Sequence, residues 1–147
     1  MEPRIHVITL AVEDLDRALA FYRDGLGLDS AGVVGAEFHD DHSGAEGAIA
    51  MFHLAGGLIL TVYPRSELAK DAGVPFAPAK SGEFSIGHAV ASREDVDALI
   101  ARAETAGAKV PDKPRERPWG IYSGYFADPD GHLWEIMFNP GLDLGAS

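Results

Sequence analysis

One order of elements occurs twice in this sequence, at an interval of about 80 residues, and a repeat of that length outranks any single motif. Residues 5–12 (IHVITLAV) are a β-rich run that ends at Glu13-Asp14. Leu15, Ala18, Leu19 and Tyr22 then recur at the i, i+3, i+4, i+7 spacing of a helix, with Asp14 as its N-cap and Gly25 and Gly27 at its end. Residues 33–38, 48–54 and 58–63 follow as three strands, and Gly56-Gly57 turns the last pair. The second half repeats this. Residues 84–91 are a strand, and Ser92-Arg93-Glu94-Asp95 is a capping box that opens a helix. Val96, Leu99, Ile100 and Ala103 form its apolar stripe, and Gly107 stops it. A short strand starts at Lys109-Val110, and residues 121–127 and 132–138 are two more. Asp128-Pro129-Asp130-Gly131 joins the last two as a turn, because proline pre-sets one dihedral and glycine relieves the next.

Each half is therefore strand, helix and three strands. The expected fold is α+β, with two βαβββ modules (1–64 and 84–147) in one domain of 147 residues. A linker (65–83) holding Pro75 and Pro78 joins them, with one helical turn at 66–72. Neither module buries much core alone, so the two are expected to pair their mixed sheets into one curved surface.

Charge narrows the function. Twelve Lys and Arg stand against 23 Asp and Glu, a net charge of −11, and such a surface repels phosphate, so neither nucleic acid nor an anionic membrane is an expected partner. No apolar run approaches the roughly 20 residues that cross a bilayer, and nothing at the N-terminus reads as a signal segment, so the expected location is the cytoplasm. The absence of cysteine removes thiolate metal sites and a cysteine nucleophile. Gly25-Leu26-Gly27 lacks the third glycine of a dinucleotide loop, and Ile121 stands where a nucleophile elbow around Ser123 needs glycine.

With the repeat in hand, the sequence resembles the vicinal-oxygen-chelate superfamily, the group of glyoxalases, bleomycin-resistance proteins and extradiol dioxygenases. The residues that carry the resemblance are Val12-Glu13-Asp14-Leu15, Phe21-Tyr22 and Gly25-Leu26-Gly27-Leu28 in the first module. In the second they are Val96-Asp97-Ala98-Leu99, Ala106-Gly107-Ala108 and Phe126-Ala127-Asp128-Pro129-Asp130-Gly131-His132 with Glu135. The resemblance implies paired modules around a cavity, a homodimer, and commonly one divalent metal held by four inward strand positions. Those positions fall on Val7, Leu60, Ser85 and Glu135, and only Glu135 has a metal-binding side chain. An ungapped alignment puts His88 rather than Ser85 at the third position; the gapped one is preferred because Ser92 is the better N-cap.

Strand alternation then makes Val7 and Thr9, Leu58, Leu60 and Val62, Ser85 and Gly87, and Leu133, Glu135 and Met137 one surface. The segment from Ser123 to His132 is also similar to fosfomycin-resistance transferases, in which the serine and tyrosine matching Ser123 and Tyr125 face the substrate; Trp119 shares their parity. The histidine ligands of those enzymes fall on Val7 and Ser85 here. The expected activity is binding of a small apolar or aromatic molecule, with no cofactor, by Thr9, Leu60, Ser85, Trp119, Ser123, Tyr125 and Glu135. The alternative is a lyase, isomerase or dioxygenase using one divalent metal on Glu135 and His88. His39-Asp40-Asp41-His42 has a metal-like composition, but Ser43-Gly44 after it makes a solvated hairpin tip the simpler reading.

Overall fold

The computed structural model describes residues 1–144; residues 145–147, the end of the expected second module, lie outside it. Two compact units divide the chain between Pro78 and Ala79. Each contains one four-stranded mixed sheet, and the two sheets have the same topology.

In the first unit the strands are β1 (Val7–Val12), β2 (Val33–Val34), β3 (Ile49–His53) and β4 (Ile59–Pro64), in the order β1-β4-β3-β2. β1 runs parallel to β4, and the other neighbours are antiparallel. Helix α1 (Leu15–Leu19) starts where the sequence indicates, with the Asp14 carboxylate accepting from the backbone N–H of Asp16 and Arg17. It continues as a wider π-helical turn over Ala20–Gly25. Ala18, Leu19, Phe21 and Tyr22 are buried against one sheet face, made by Leu10, Val12, Ala50, Phe52, Leu60 and Val62. The expected helical turn after β4 is a full helix, α2 (Arg65–Ala72). The second strand is much shorter than residues 33–38, because Gly35 turns the chain with φ 78° and Phe38 lies two-thirds exposed.

The second unit holds β5 (Ser85–Ala89), α3 (Arg93–Thr105), β6 (Lys109–Glu116), β7 (Tyr122–Ala127) and β8 (Leu133–Phe138), with sheet order β5-β8-β7-β6. Ser92 Oγ caps α3 by accepting from the N–H of Asp95 at 3.1 Å. Val96, Ile100 and Ala103 of α3 are buried, as are Phe126, Trp134 and Ile136 on the sheet face beneath, where the Phe126 and Trp134 rings stack with centroids 6.0 Å apart. Tyr122 donates to Asp97 Oδ1 at 2.7 Å, tying that same face to the helix. β6 is the main departure from expectation: a full edge strand in place of a stub at Lys109-Val110. Pro111 and Pro114 are tolerated there because an edge strand has one row of backbone groups facing solvent. They are accompanied by register shifts against β7 on both sides of Asp112. A Cβ on Gly124 would lie 2.8 Å from Pro114 N, so only glycine lets β6 approach β7 this closely.

The two registers are superposable residue for residue. Val7 pairs with Ile59 and Thr9 with Thr61, as Ser85 pairs with Leu133 and Gly87 with Glu135. The first-module counterpart of Glu135 is therefore Thr61, not Leu60. This corrects the expected surface in one strand. Leu60 pairs with Ile8 and Phe52, is 1% exposed and belongs to the core under α1; Leu58 precedes the strand and Val62 is core as well. Among the described residues no helix is long and apolar enough to cross a membrane.

Candidate functional site

The polar residues singled out in the second half converge on the sheet face opposite α3. Tyr125 pairs across from Glu135, Gly87 flanks Glu135 on the other side, and Ser123 pairs with Met137. Because side chains alternate along a strand, Ser85, Gly87, Ser123, Tyr125, Leu133, Glu135 and Met137 share one face. Ser85 lies exposed on β5, one pair from Glu135 on that face.

A chain of hydrogen bonds organises this face. Arg117 Nε donates to Ser123 Oγ at 2.6 Å, and Ser123 Oγ donates to Glu135 Oε2 at 2.8 Å. Arg117 Nη2 donates to Asp112 Oδ2 at 2.8 Å and to the Ser123 carbonyl at 3.2 Å. The Arg117 guanidinium sits 5.4 Å from the centre of the Tyr125 ring, within cation–π range. Burial pushes the Tyr125 hydroxyl above its usual value of 10.0, and the Glu135 charge and the hydrogen bond to it add to the effect. Hydrogen bonds from Arg117 and then Arg115 hold the Asp112 carboxyl below 3.8. Ser123 is fully buried beneath this network.

Sequence reasoning missed Arg117 and Asp112. The signal was faint: Arg115 and Arg117 stand two apart in a proline-broken charge run. Such a run on a β-edge can place a cation over its neighbour strand. What aims Arg117 is the hairpin between β6 and β7, closed by the Arg117 N–H donating to the Ile121 carbonyl at 2.7 Å. Trp119 occupies the tip of that hairpin, not the strand, so it shares no strand parity with Ser123 and Tyr125. Its φ is 65° and it is 91% exposed, an uncommon conformation for a bulky side chain.

Thr9 lies in the first unit, and Thr61 donates to its hydroxyl at 2.7 Å. Leu60 faces away from that pair into the core. His88 pairs with Ile136, so it leaves β5 on the face opposite Glu135 and the two cannot share one ion. The 39–42 cluster serves its own loop: His39 Nδ1 lies 2.9 Å from Glu46, and Asp40 accepts from the N–H of His42 and Ser43.

The donor set at the four strand positions, corrected for Thr61, is Val7, Thr61, Ser85 and Glu135. One carboxylate among three residues without imidazole or carboxylate does not fit a divalent first-row ion. Among the described residues no group of three or more His, Asp or Glu is placed to hold one. What the Glu135 face does offer is a ring, aliphatic and thioether surface, and a carboxylate already satisfied in part by the Ser123 hydroxyl.

The sequence matches the model of the Glyoxalase/Bleomycin resistance protein/Dioxygenase superfamily over residues 4–136. No curated protein matches it significantly. Among solved structures, a glyoxalase-related enzyme from Fulvimarina pelagi is 30% identical with a TM-score of 0.80, covering 98% of this chain and 94% of that one. A lactoylglutathione lyase from Agrobacterium tumefaciens is 25% identical with a TM-score of 0.65, covering 97% and 100%. The fosfomycin resistance protein of Listeria monocytogenes is similar in fold, at 22% identity and a TM-score of 0.66 over 96% and 97%.

Proposed function

We propose, from the premise that the chain belongs to the Glyoxalase/Bleomycin resistance protein/Dioxygenase superfamily, that its second module binds a small apolar or aromatic molecule without a divalent metal. The observation that carries this reading is the state of Glu135. In a metal centre a carboxylate directs its lone pairs at the ion, and second partners orient it. Here Glu135 instead accepts from Ser123, which is itself held by Arg117. The guanidinium reaches the carboxylate only through that hydroxyl, and its own ion pair is with Asp112 at 2.8 Å.

The remaining surface suits an apolar guest. The Tyr125 ring, Leu133, Met137 and Ala89 supply area, the exposed Ser85 lies on the same face, and Glu135 fixes orientation. Sequestration needs only such complementarity. The assembly is read as a homodimer, which sedimentation velocity tests, and the location as the cytoplasm, which cell fractionation tests.

The experiment is a thermal-shift screen of planar aromatic compounds against the wild type and Glu135→Ala, with the compounds recovered and checked by mass spectrometry. The reading expects stabilisation by a subset of compounds, reduced in the variant, with each compound returned intact. Conversion of a bound compound would replace it with an enzymatic reading in which Glu135 moves a proton.

A further inference from the structure

We infer that the polar end of this face acts as a hydrogen-bond acceptor, and that it selects aromatic molecules bearing a hydroxyl or amino N–H over those bearing a carboxylate. This rests on the binding reading above and deepens it by naming the ligand class. The residue that decides the matter is Arg117. A guanidinium on a binding face ordinarily recruits carboxylate or phosphate through its fork of donors. In this chain three of those donors are already directed into the protein, and the side chain is only 16% exposed.

The direction of each proton follows from which groups can only donate. Arginine has no acceptor, so Arg117 Nε must donate to Ser123 Oγ. The single Ser123 proton is then free to point at Glu135 Oε2, 2.8 Å away. The Tyr125 hydroxyl belongs to the residue paired directly across from Glu135, and the negative charge of that carboxylate helps to keep it protonated and a donor. Asp112 absorbs the outward fork of Arg117 and is also bridged by Arg115. The Arg117 donors are thus spent on Asp112 and Ser123, and the one hydroxyl proton between them goes to Glu135, whose two oxygens have about four lone-pair sites with one of them filled by Ser123. The sites left over are acceptors.

Glu135 is itself only half-buried, so its remaining sites stay within reach of a ligand. Gly87, paired with it on β5, brings no side chain of its own, and the Met137 methyl, 3.1 Å from where a Cβ on Gly87 would stand, covers that side with apolar surface. An incoming hydroxyl or amine finds a charged acceptor with a ring and aliphatic surface around it. An incoming carboxylate meets a like charge whose nearby donors point elsewhere, in a chain of net charge −11.

Four naphthyl probes of one shape test this: naphthalene, 1-naphthol, 1-naphthylamine and 1-naphthoate, titrated at neutral pH into the full chain and followed by tryptophan fluorescence. The expected result is that 1-naphthol and 1-naphthylamine bind about 10-fold or more tightly than naphthalene, as a hydrogen bond to a charged partner allows, with 1-naphthoate weakest. In Glu135→Gln, which keeps shape but removes the charge, the naphthol-over-naphthoate ratio falls toward one. Ser123→Ala, which loosens Glu135 without removing it, lowers the ratio less. Tightest binding by 1-naphthoate, abolished in Arg117→Met, would overturn the inference and leave the apolar-ligand reading standing. Failure of all four probes to bind would overturn that reading and the inference with it.

Discussion

Replacing Ser123 by alanine removes one hydroxyl from a residue with no solvent exposure, and the structure fixes what that hydroxyl does. Two hydrogen bonds are lost, one from Arg117 Nε at 2.6 Å and one to Glu135 Oε2 at 2.8 Å, each with a charged partner. Bonds of that type contribute about 1.5–3 kcal/mol each, which bounds the loss at about 6 kcal/mol. Neither partner is stranded, however. Arg117 keeps Asp112 and the Ser123 carbonyl, while Glu135 is half-buried and keeps contact with solvent. The expected net cost is therefore about 2 kcal/mol, near that of one charge-assisted bond. Urea unfolding followed by circular dichroism would show it as a midpoint about 1 M lower, for a slope of about 2 kcal/mol per molar. A double-mutant cycle isolates the bridge itself. Ser123→Ala and Arg117→Met should fail to add by about 1 kcal/mol, whereas sites that do not interact add within about 0.5 kcal/mol. A single-mutant loss below about 0.5 kcal/mol, or simple additivity, would refute the relay.

Leu60→Ala should cost about 2–5 kcal/mol and Thr61→Ala much less, because Leu60 fills the core while Thr61 faces Thr9; equal costs in urea unfolding would contradict the register. Trp119→Gly should leave the fold as stable or up to about 1 kcal/mol more stable, since it relieves a left-handed backbone and removes an exposed ring. Loss of stability would show instead that the indole packs. Asp112 has a carboxyl held down by Arg117 and then Arg115, so its contribution is complete above the ordinary aspartate value of 3.8 and is lost as pH falls through the lower folded value. The melting temperature of the wild type should accordingly drop more steeply below about pH 4 than that of Asp112→Asn.

The elements of this fold are largely legible because their signals are local. Asp14 and Ser92 cap helices, Gly107 stops one, and the Asp128–Gly131 turn is built as its residues dictate, with the Asp128 N–H donating to the His132 carbonyl at 2.9 Å. Register is harder to read where burial removes alternation. Leu60, Thr61, Val62 and Tyr63 are all buried, so nothing in β4 marks which residues face the helix, and placing Leu60 rather than Thr61 opposite Glu135 in the repeat turns the expected surface over. β6 was concealed by Pro111 and Pro114, which in an interior strand would break pairing. In the site, Ser123, Tyr125 and Glu135 could be grouped from alternation alone. Arg117 could not, because its aim depends on a hairpin whose tip places Trp119 at positive φ, a conformation that composition does not announce.

The central claim, an apolar ligand site whose carboxylate is held by Ser123 and Arg117 in relay rather than by an ion, is tested most directly by elemental analysis of untagged protein before and after dialysis against chelator. The account predicts no stoichiometric Fe, Mn, Ni or Zn in the wild type and no thermal shift when those ions are added back. About one such ion per chain, lost on chelation and absent from Glu135→Ala, would contradict it and assign Glu135 to a metal centre.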